Sequence, residues 1–361
     1  MELFNLIKRK LYPITSRFLC KATLVKGILR GNNDQFNCLF IENESFGTYI
    51  WRNAYESSPH VIYRKRVRKA RITKIIEKYA DDIDMCIVVL PFKDEKLLNE
   101  GYSFKTSKFI RQSLNLPDCL ELIESQFRKN LKEVKRKIRK YKLTYKVSKN
   151  FEDFKRFYHE MHLPHIKKQF GSFANIESYE SMKSFFMKGF LMIISDSESD
   201  LAAALCIVRD GILVFRRTGV FYGGNNSVAK AAFSAIYYFL IHYAETNGLR
   251  KVDLMWSAPF FFDGVFKKKR EWGASIYTDD GVESCVYFFI PKYSKKIVEF
   301  FRSNPIIIQY QNALYGLIGY KEFTDSEESI KTELARKFSS PGLKGLLLLS
   351  ADGNISTITL D

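Results

Sequence analysis

Asp253 lies in the run Asp253, Leu254, Met255, Trp256, whose apolar members bury one side of a strand-like segment. A carboxylate in such a place needs a partner, and beside a cleft its pKa rises toward the range where it takes a proton from an ammonium. The same position also suits a structural acid bonded to backbone or to a cation, and the sequence leaves both readings open. Further on, Lys267, Lys268, Lys269 and Arg270 precede Trp272 and Gly273; as charge alone these cations are solvated. Gly223, Gly224, Asn225, Asn226 and Ser227 join a strand-like run to a long apolar helical run. Free backbone N–H groups and the positive helix end at such a junction hold a phosphate or a carbonyl oxygen, or else Asn226 or Ser227 is simply the helix cap. His159, His162 and His165 recur every three residues, as metal ligands on a helix face would. Pro164 disturbs that helix and no nearby Cys or carboxylate pair completes a tetrahedral set, so no metal is expected. His165, close to Lys167 and Lys168, reads as a substrate-contacting or surface group.

The chain contains no Ser-His-Asp order, CxxC pair, Walker loop or dinucleotide fingerprint, which leaves covalent hydrolase, zinc, nucleotide-triphosphatase and dehydrogenase readings without support. The six cysteines, Cys20, Cys38, Cys86, Cys119, Cys206 and Cys285, sit mostly inside apolar runs and read as reduced core residues. With 361 residues, 46% of them hydrophobic, the chain buries substantial cores and two domains are the default. The longest apolar candidate, Leu346 to Leu349, is far too short to span a bilayer, and Met1 to Cys20 lacks the continuous apolar centre of a signal peptide, so a cytoplasmic location is expected. Lys plus Arg number 57 against 40 Asp plus Glu, a net charge of +17 that favours nucleic acid, an acidic membrane surface or phosphate-bearing substrates.

These residues must be positioned by regular elements. From Ile62 to Ala80 a basic helical pattern (Val67, Ala70, Ile72, Ile75, Ile76) leads into a buried strand, Met85 to Leu90. Leu114 to Asp118 forms a break, with Asp118 an N-cap candidate, and the domain boundary is placed there. Leu122, Ile123, Phe127, Leu131, Val134, Ile138 and Tyr141 then share one helical face. The rest of that helix carries Arg128, Lys129, Lys132, Lys135, Arg136, Lys137, Arg139 and Lys140 with only Glu133 among them, which points to an anion-facing surface. Strands are expected at Leu191 to Ile194, Leu201 to Val208, Ile212 to Val220, Lys251 to Trp256 and Val286 to Ile290, with Arg209, Asp210 and Gly211 as a hairpin turn. The long helix opens after Ser227 and ends at Asn247 and Gly248. A helix between neighbouring strands implies a crossover and one locally parallel pair in an otherwise antiparallel sheet.

Four stretches in this order resemble the FemAB-like branch of the GNAT acyltransferase superfamily, which includes peptidoglycan aminoacyltransferases. They are the basic helix Phe127 to Lys142; Phe154 to Gly171, with Phe157, Tyr158, Met161, Pro164 and His165; Gly219 to Glu245; and Lys251 to Gly273, with Asp253, Ser257, Pro259, Gly264, Val265, Phe266, Lys267, Trp272 and Gly273. The resemblance implies an α/β fold of two tandem GNAT-like domains: residues 1–118 a degenerate copy, 119–325 the catalytic copy beginning with the basic helix, and 326–361 a C-terminal extension. It implies an N-acyltransferase that moves an acyl or aminoacyl group to an amine of a cell-surface precursor, with acyl-CoA or aminoacyl-tRNA as donor. Coenzyme-A-binding members carry Gln or Arg, two residues, Gly, any residue, then Gly or Ala, and Phe221 to Ser227 departs from that pattern.

Under this reading Asp253 and Lys267 are catalytic: Asp253 assists deprotonation, and Lys267 faces the substrate with Trp272 packed behind it. His165, Lys168, Arg217, Tyr238, Ser257 and Trp272 bind substrate, while Tyr222, Gly223, Gly224, Asn225 and Ser227 bind donor. The glycine loop must open into a cleft, so the strand ending near Gly219 and the strand Lys251 to Trp256 are expected to splay apart. With aminoacyl-tRNA as donor, Arg128 to Lys140 would be its footprint. An acidic membrane face is a further expected contact, without a transmembrane segment. A reading from another class is a non-catalytic nucleic-acid or membrane-surface binding protein.

Overall fold

The computed structural model describes residues 18–43, 46–98, 101–117, 128–171, 174, 176–221, 224, 226–279, 284–320 and 327–360. The strands are β1 (Leu19–Ile28), β2 (Gln35–Glu42), β3 (His60–Arg68), β4 (Met85–Pro91), β5 (Phe104–Ser107), β6 (Ile110–Asn115), β7 (Thr144–Ser148), β8 (Phe190–Ser195) and β9 (Asp200–Arg209). They continue with β10 (Ile212–Val220), β11 (Lys251–Ser257), β12 (Ser275–Tyr277), β13 (Ser284–Phe289), β14 (Ile306–Tyr310), β15 (Ala313–Gly319), β16 (Gly345–Leu349) and β17 (Ile355–Thr359). The fold is mixed α/β, as expected, and it divides into two compact units.

The first unit takes residues 1–110, 257–267 and 276–361. Its ten-stranded sheet runs β17-β16-β15-β14-β5-β13-β4-β2-β1-β3. The sequence MCIVVL of β4 is buried on both faces, as a central strand must be, and β4 pairs in parallel with β2 and antiparallel with β13. This composition corrects the contiguous division expected from the sequence. The stretch 326–361 is no appendage, because Leu346 to Leu349, expected only to be too short for a membrane span, form an interior strand paired with β15 and β17. Residues 276–325 also belong with the N-terminal strands.

The expected helix over 62–80 is half strand. Tyr63 and Val67 pack in one core and, across the irregularity at Ile62, Val61 packs in another, while arginines take exposed positions, and only Ile72–Tyr79 is helical. Period-2 alternation in a charged segment was read as a helix because the apolar residues of the true helix follow at once. The five described cysteines are free and buried; Cys119 and the proposed N-cap Asp118 lie outside the described residues.

The second unit takes residues 111–256 and 268–275, and its strands run β6-β11-β10-β9-β8-β7. β7, β8, β9 and β10 pair antiparallel, and β10 with β11 in parallel, the one crossover expected. The crossover is the helix Ser227–Thr246, which buries Ala231, Ala232, Ala235, Ile236 and Leu240 on the sheet. The Asn226 side chain caps its start, accepting the Ala229 N–H at 2.7 Å, and Gly248 at φ +65° follows its end. The basic helix Arg128–Lys140 buries Leu131 and Val134 in the same core.

Candidate active site

The parallel pairing of β10 and β11 lasts three residues, Ile212 with Lys251, Leu213 with Val252 and Val214 with Asp253. Both strands continue beyond it without pairing each other, β10 to Val220 and β11 to Ser257. The expected splay is therefore present, and its causes are local. Met255 adopts φ +62°, a left-handed conformation that costs a non-glycine residue of order 1 kcal/mol, and this turns β11 aside. On β10 the register with β9 slips between Phe215 and Arg217, making Arg216 a bulge residue.

Asp253 holds the Met255 turn. Its Oδ1 accepts the Met255 N–H at 2.8 Å, and its Oδ2 accepts Arg111 Nε at 3.0 Å together with an Arg111 terminal nitrogen. The residue is 3% exposed with both oxygens engaged. The structure thus gives Asp253 the structural alternative that the sequence left open, in place of the proton-accepting role expected for it. Lys269 completes the arrangement: buried, it donates to the carbonyls of Met255 at 3.2 Å and Trp256 at 2.9 Å.

Other expected site residues fall differently. Lys267 is exposed and, with the buried Ser257, belongs to the first unit, so neither is part of the site described here. Trp272 is fully buried in the second unit's core, stacked on Tyr237 at 5.7 Å. Tyr238 turns toward Phe239 and His242. Lys168 is exposed on the helix Leu163–Phe170. Tyr222, Gly223 and Asn225 lie outside the described residues. Gly224 has φ +68°, and a Cβ there would meet Val220 at 2.9 Å, so the loop requires glycine. Ser227 is exposed at the helix start, and its hydroxyl reaches Tyr141.

Facing β10 stands the family-like stretch Phe154 to Gly171, in which the sequence singled out His165 and Lys168 and gave His162 no role. Phe157–His162 is a π-helix, continued by Leu163–Phe170 with Pro164 in its first turn, so the proline does not break the rod. Gly219 permits the approach, since a Cβ at that position would lie 2.4 Å from the His162 backbone nitrogen. His162 is 1% exposed, and its Nδ1 lies 2.8 Å from the Thr218 carbonyl on the stretch of β10 that β11 no longer pairs. A carbonyl only accepts, so Nδ1 carries the proton and Nε2 the lone pair. Among the described residues that buried Nε2 has no partner. Burial holds the His162 imidazole below its ordinary pKa, and Arg217 adds to this; the Thr218 bond and Glu177 oppose it. His165, its ring 5.3 Å from Phe233, is likewise lowered by burial, by His162 and by Lys168.

Arg217, expected to bind substrate, shares Glu177 with Arg216, at 2.7 and 3.2 Å respectively. Burial alone would raise the Glu177 carboxyl, but the Ser181 hydroxyl and the two guanidiniums outweigh it and hold the group below its usual range. Arg216 also lies 4.3 Å over the Phe185 ring. The site thus offers a neutral, buried imidazole acceptor beside an unpaired strand edge, flanked by two arginines. Sequence reasoning missed His162 because its signal is the neighbouring Gly219, legible only once the helix is known to pack there. Among the described residues no cluster of His, Cys, Asp or Glu suited to a metal occurs.

No family model matches the sequence, and no curated protein matches it. Among solved structures the chain is similar to FemX, at 10% identity over 74% of this chain and 84% of that one, with a TM-score of 0.40. It is similar to L-PGS from Bacillus licheniformis at 8% identity, over 78% of this chain and 88% of that one, with a TM-score of 0.35. A GCN5-related N-acetyltransferase from Anabaena variabilis ATCC 29413 is 11% identical over 91% of this chain and 73% of that one, with a TM-score of 0.27.

Proposed function

We propose that the second unit is an N-acyltransferase that moves an acyl or aminoacyl group from an activated carrier to an amine. The observation that carries this reading is the early end of the β10–β11 pairing, after Val214 and Asp253, held open by Met255, Asp253, Arg111 and Lys269. Backbone N–H groups on such an unpaired edge are donors for an acyl carbonyl and for the oxyanion that develops on it. His162 Nε2 is the acceptor for the proton that the attacking ammonium must lose. The ammonium loses two protons in becoming the amide N–H: Nε2 takes the first as the amine enters and releases it to solvent, then takes the second as the new C–N bond forms and passes it to the carrier's sulfur or oxygen as the bond from the carbonyl carbon to that atom breaks. Arg217 and Arg216 suit a phosphate on either substrate. An amine borne by a cell-envelope precursor, such as an amino sugar or a peptidoglycan peptide, fits the resemblance. The carrier is acyl-CoA or aminoacyl-tRNA.

The test supplies radiolabelled acetyl-CoA and aminoacyl-tRNA separately with amino-sugar nucleotides and lipid-linked amino sugars, and follows label into amide product. Product that falls at least about 10²-fold with His162→Asn supports the reading. Asn still donates to the Thr218 carbonyl but offers no imidazole nitrogen to the amine. No product with either donor, or full activity in the variant, contradicts the reading or the role of His162 respectively.

A further inference from the structure

β3 is the end strand of the ten-stranded sheet, and β1 is its partner there. Alternation places Arg64, Arg66 and Arg68 on one face, roughly 7 Å apart along the strand. Tyr63 and Val67 on the other face pack on the core, Tyr63 against Tyr79 at 5.6 Å. The three arginines are exposed, and Arg66 lies directly across from exposed Lys21 on β1. Like charges opposite one another destabilise a sheet. On its other side Lys21 lies across from Glu42 on β2, the carboxylate that faces it there, while among the described residues Arg64, Arg66 and Arg68 form no ion pair. Charges on an edge strand guard it against aggregation, but that purpose does not call for like charges facing each other across the ladder. Ile62, where the β1 register slips, adds an apolar residue 51% exposed at the end of the row.

We infer that this face of the first unit docks on an anionic lipid surface, with Arg64, Arg66, Arg68 and Lys21 against phosphate headgroups and Ile62 at the interface. The excess of Lys21, Arg64, Arg66 and Arg68 over the single carboxylate Glu42 on this face is the charge complementarity that selects the partner. A lipid surface fits better than RNA because the aromatic ring of β3, Tyr63, is turned to the core, leaving its arginine face none on which to stack a base. Docking of this kind is independent of the acyl-transfer reading.

The experiment is co-sedimentation of the full chain with vesicles of phosphatidylcholine alone and of phosphatidylcholine mixed with phosphatidylglycerol. Binding is expected only to the mixed vesicles and falls as salt is raised. Replacing Arg64, Arg66 and Arg68 by Gln lowers the partition coefficient roughly 10²-fold, about fivefold per cation. Replacing them by Lys, which keeps the charge, retains most of the binding, and circular dichroism confirms that each variant is folded. Equal binding to both vesicle types, no binding to either, or an unchanged partition in the Gln variant overturns the inference. So does arginine-dependent binding of total tRNA without vesicle binding, which would assign the face to nucleic acid.

Discussion

His162 and Asp253 exchange the roles that residue type alone suggests. Asp253 is the acid expected to move a proton, yet its oxygens are committed to the Met255 N–H and to Arg111. Asp253→Asn keeps an acceptor for Met255 but leaves the Arg111 guanidinium without its anion. The expected loss is roughly 2 kcal/mol of unfolding free energy, measured by urea denaturation; unaltered stability would remove Asp253 from the splay. His162 makes a second prediction through pH. Its folded pKa is lowered, so below about 6.5 the unfolded chain binds a proton that the folded imidazole does not. Wild-type stability should therefore fall relative to His162→Asn as pH drops through and below 6.5, and the difference should be flat above pH 7. A difference independent of pH would mean that the imidazole is not held neutral. His165 titrates with the same sign, and its lowering by burial and by Lys168, present in both forms, cancels in the comparison.

Among the elements, the helix Arg128–Lys140 has Lys132, Arg136, Arg139 and Lys140 exposed while Leu131 and Val134 are buried. Replacing Lys132, Lys135, Arg136 and Arg139 by Gln should leave the melting temperature within a few degrees, since exposed charges contribute little to folding. Binding of tRNA, followed by gel mobility, should weaken steeply if that face is its footprint. Undiminished binding would leave the helix a solvated surface. β8, β9, β10, β11 and the helix after the glycine loop were legible in the sequence because each is a mostly apolar run, with Gly211, Gly224 and Gly248 at positive φ in the joins, whereas β6 and β7 were not expected. β3 was not, because its core-facing residues are too few among arginines to show the alternation. Nor could the sequence show that Lys269, and not Lys267, is the buried lysine. On a short helix two positions separate opposite faces, and only the carbonyls of Met255 and Trp256 select one.

The molecule as a whole is discontinuous in a way that local patterns do not reveal. β4 and β5 flank β13 in one sheet, although nearly two hundred residues intervene. A chain ending at residue 325 loses β16 and β17 and uncovers the interior strand β15. Leu346 to Leu349 are each at most 1% exposed, and burying four leucines contributes roughly 6–12 kcal/mol, comparable to the stability of a whole domain. The truncated chain should be insoluble or lack a cooperative melting transition; a soluble form melting like the full chain would show that 326–361 is dispensable. The central claim, that β10 beyond Val214 presents an open edge which an activated acyl donor occupies, is tested most directly by amide hydrogen exchange over residues 215–220. Alternate amides there should exchange rapidly in the free protein and become protected when acetyl-CoA or aminoacyl-tRNA is added. Amides that are all protected without donor and unmoved by either one would contradict it.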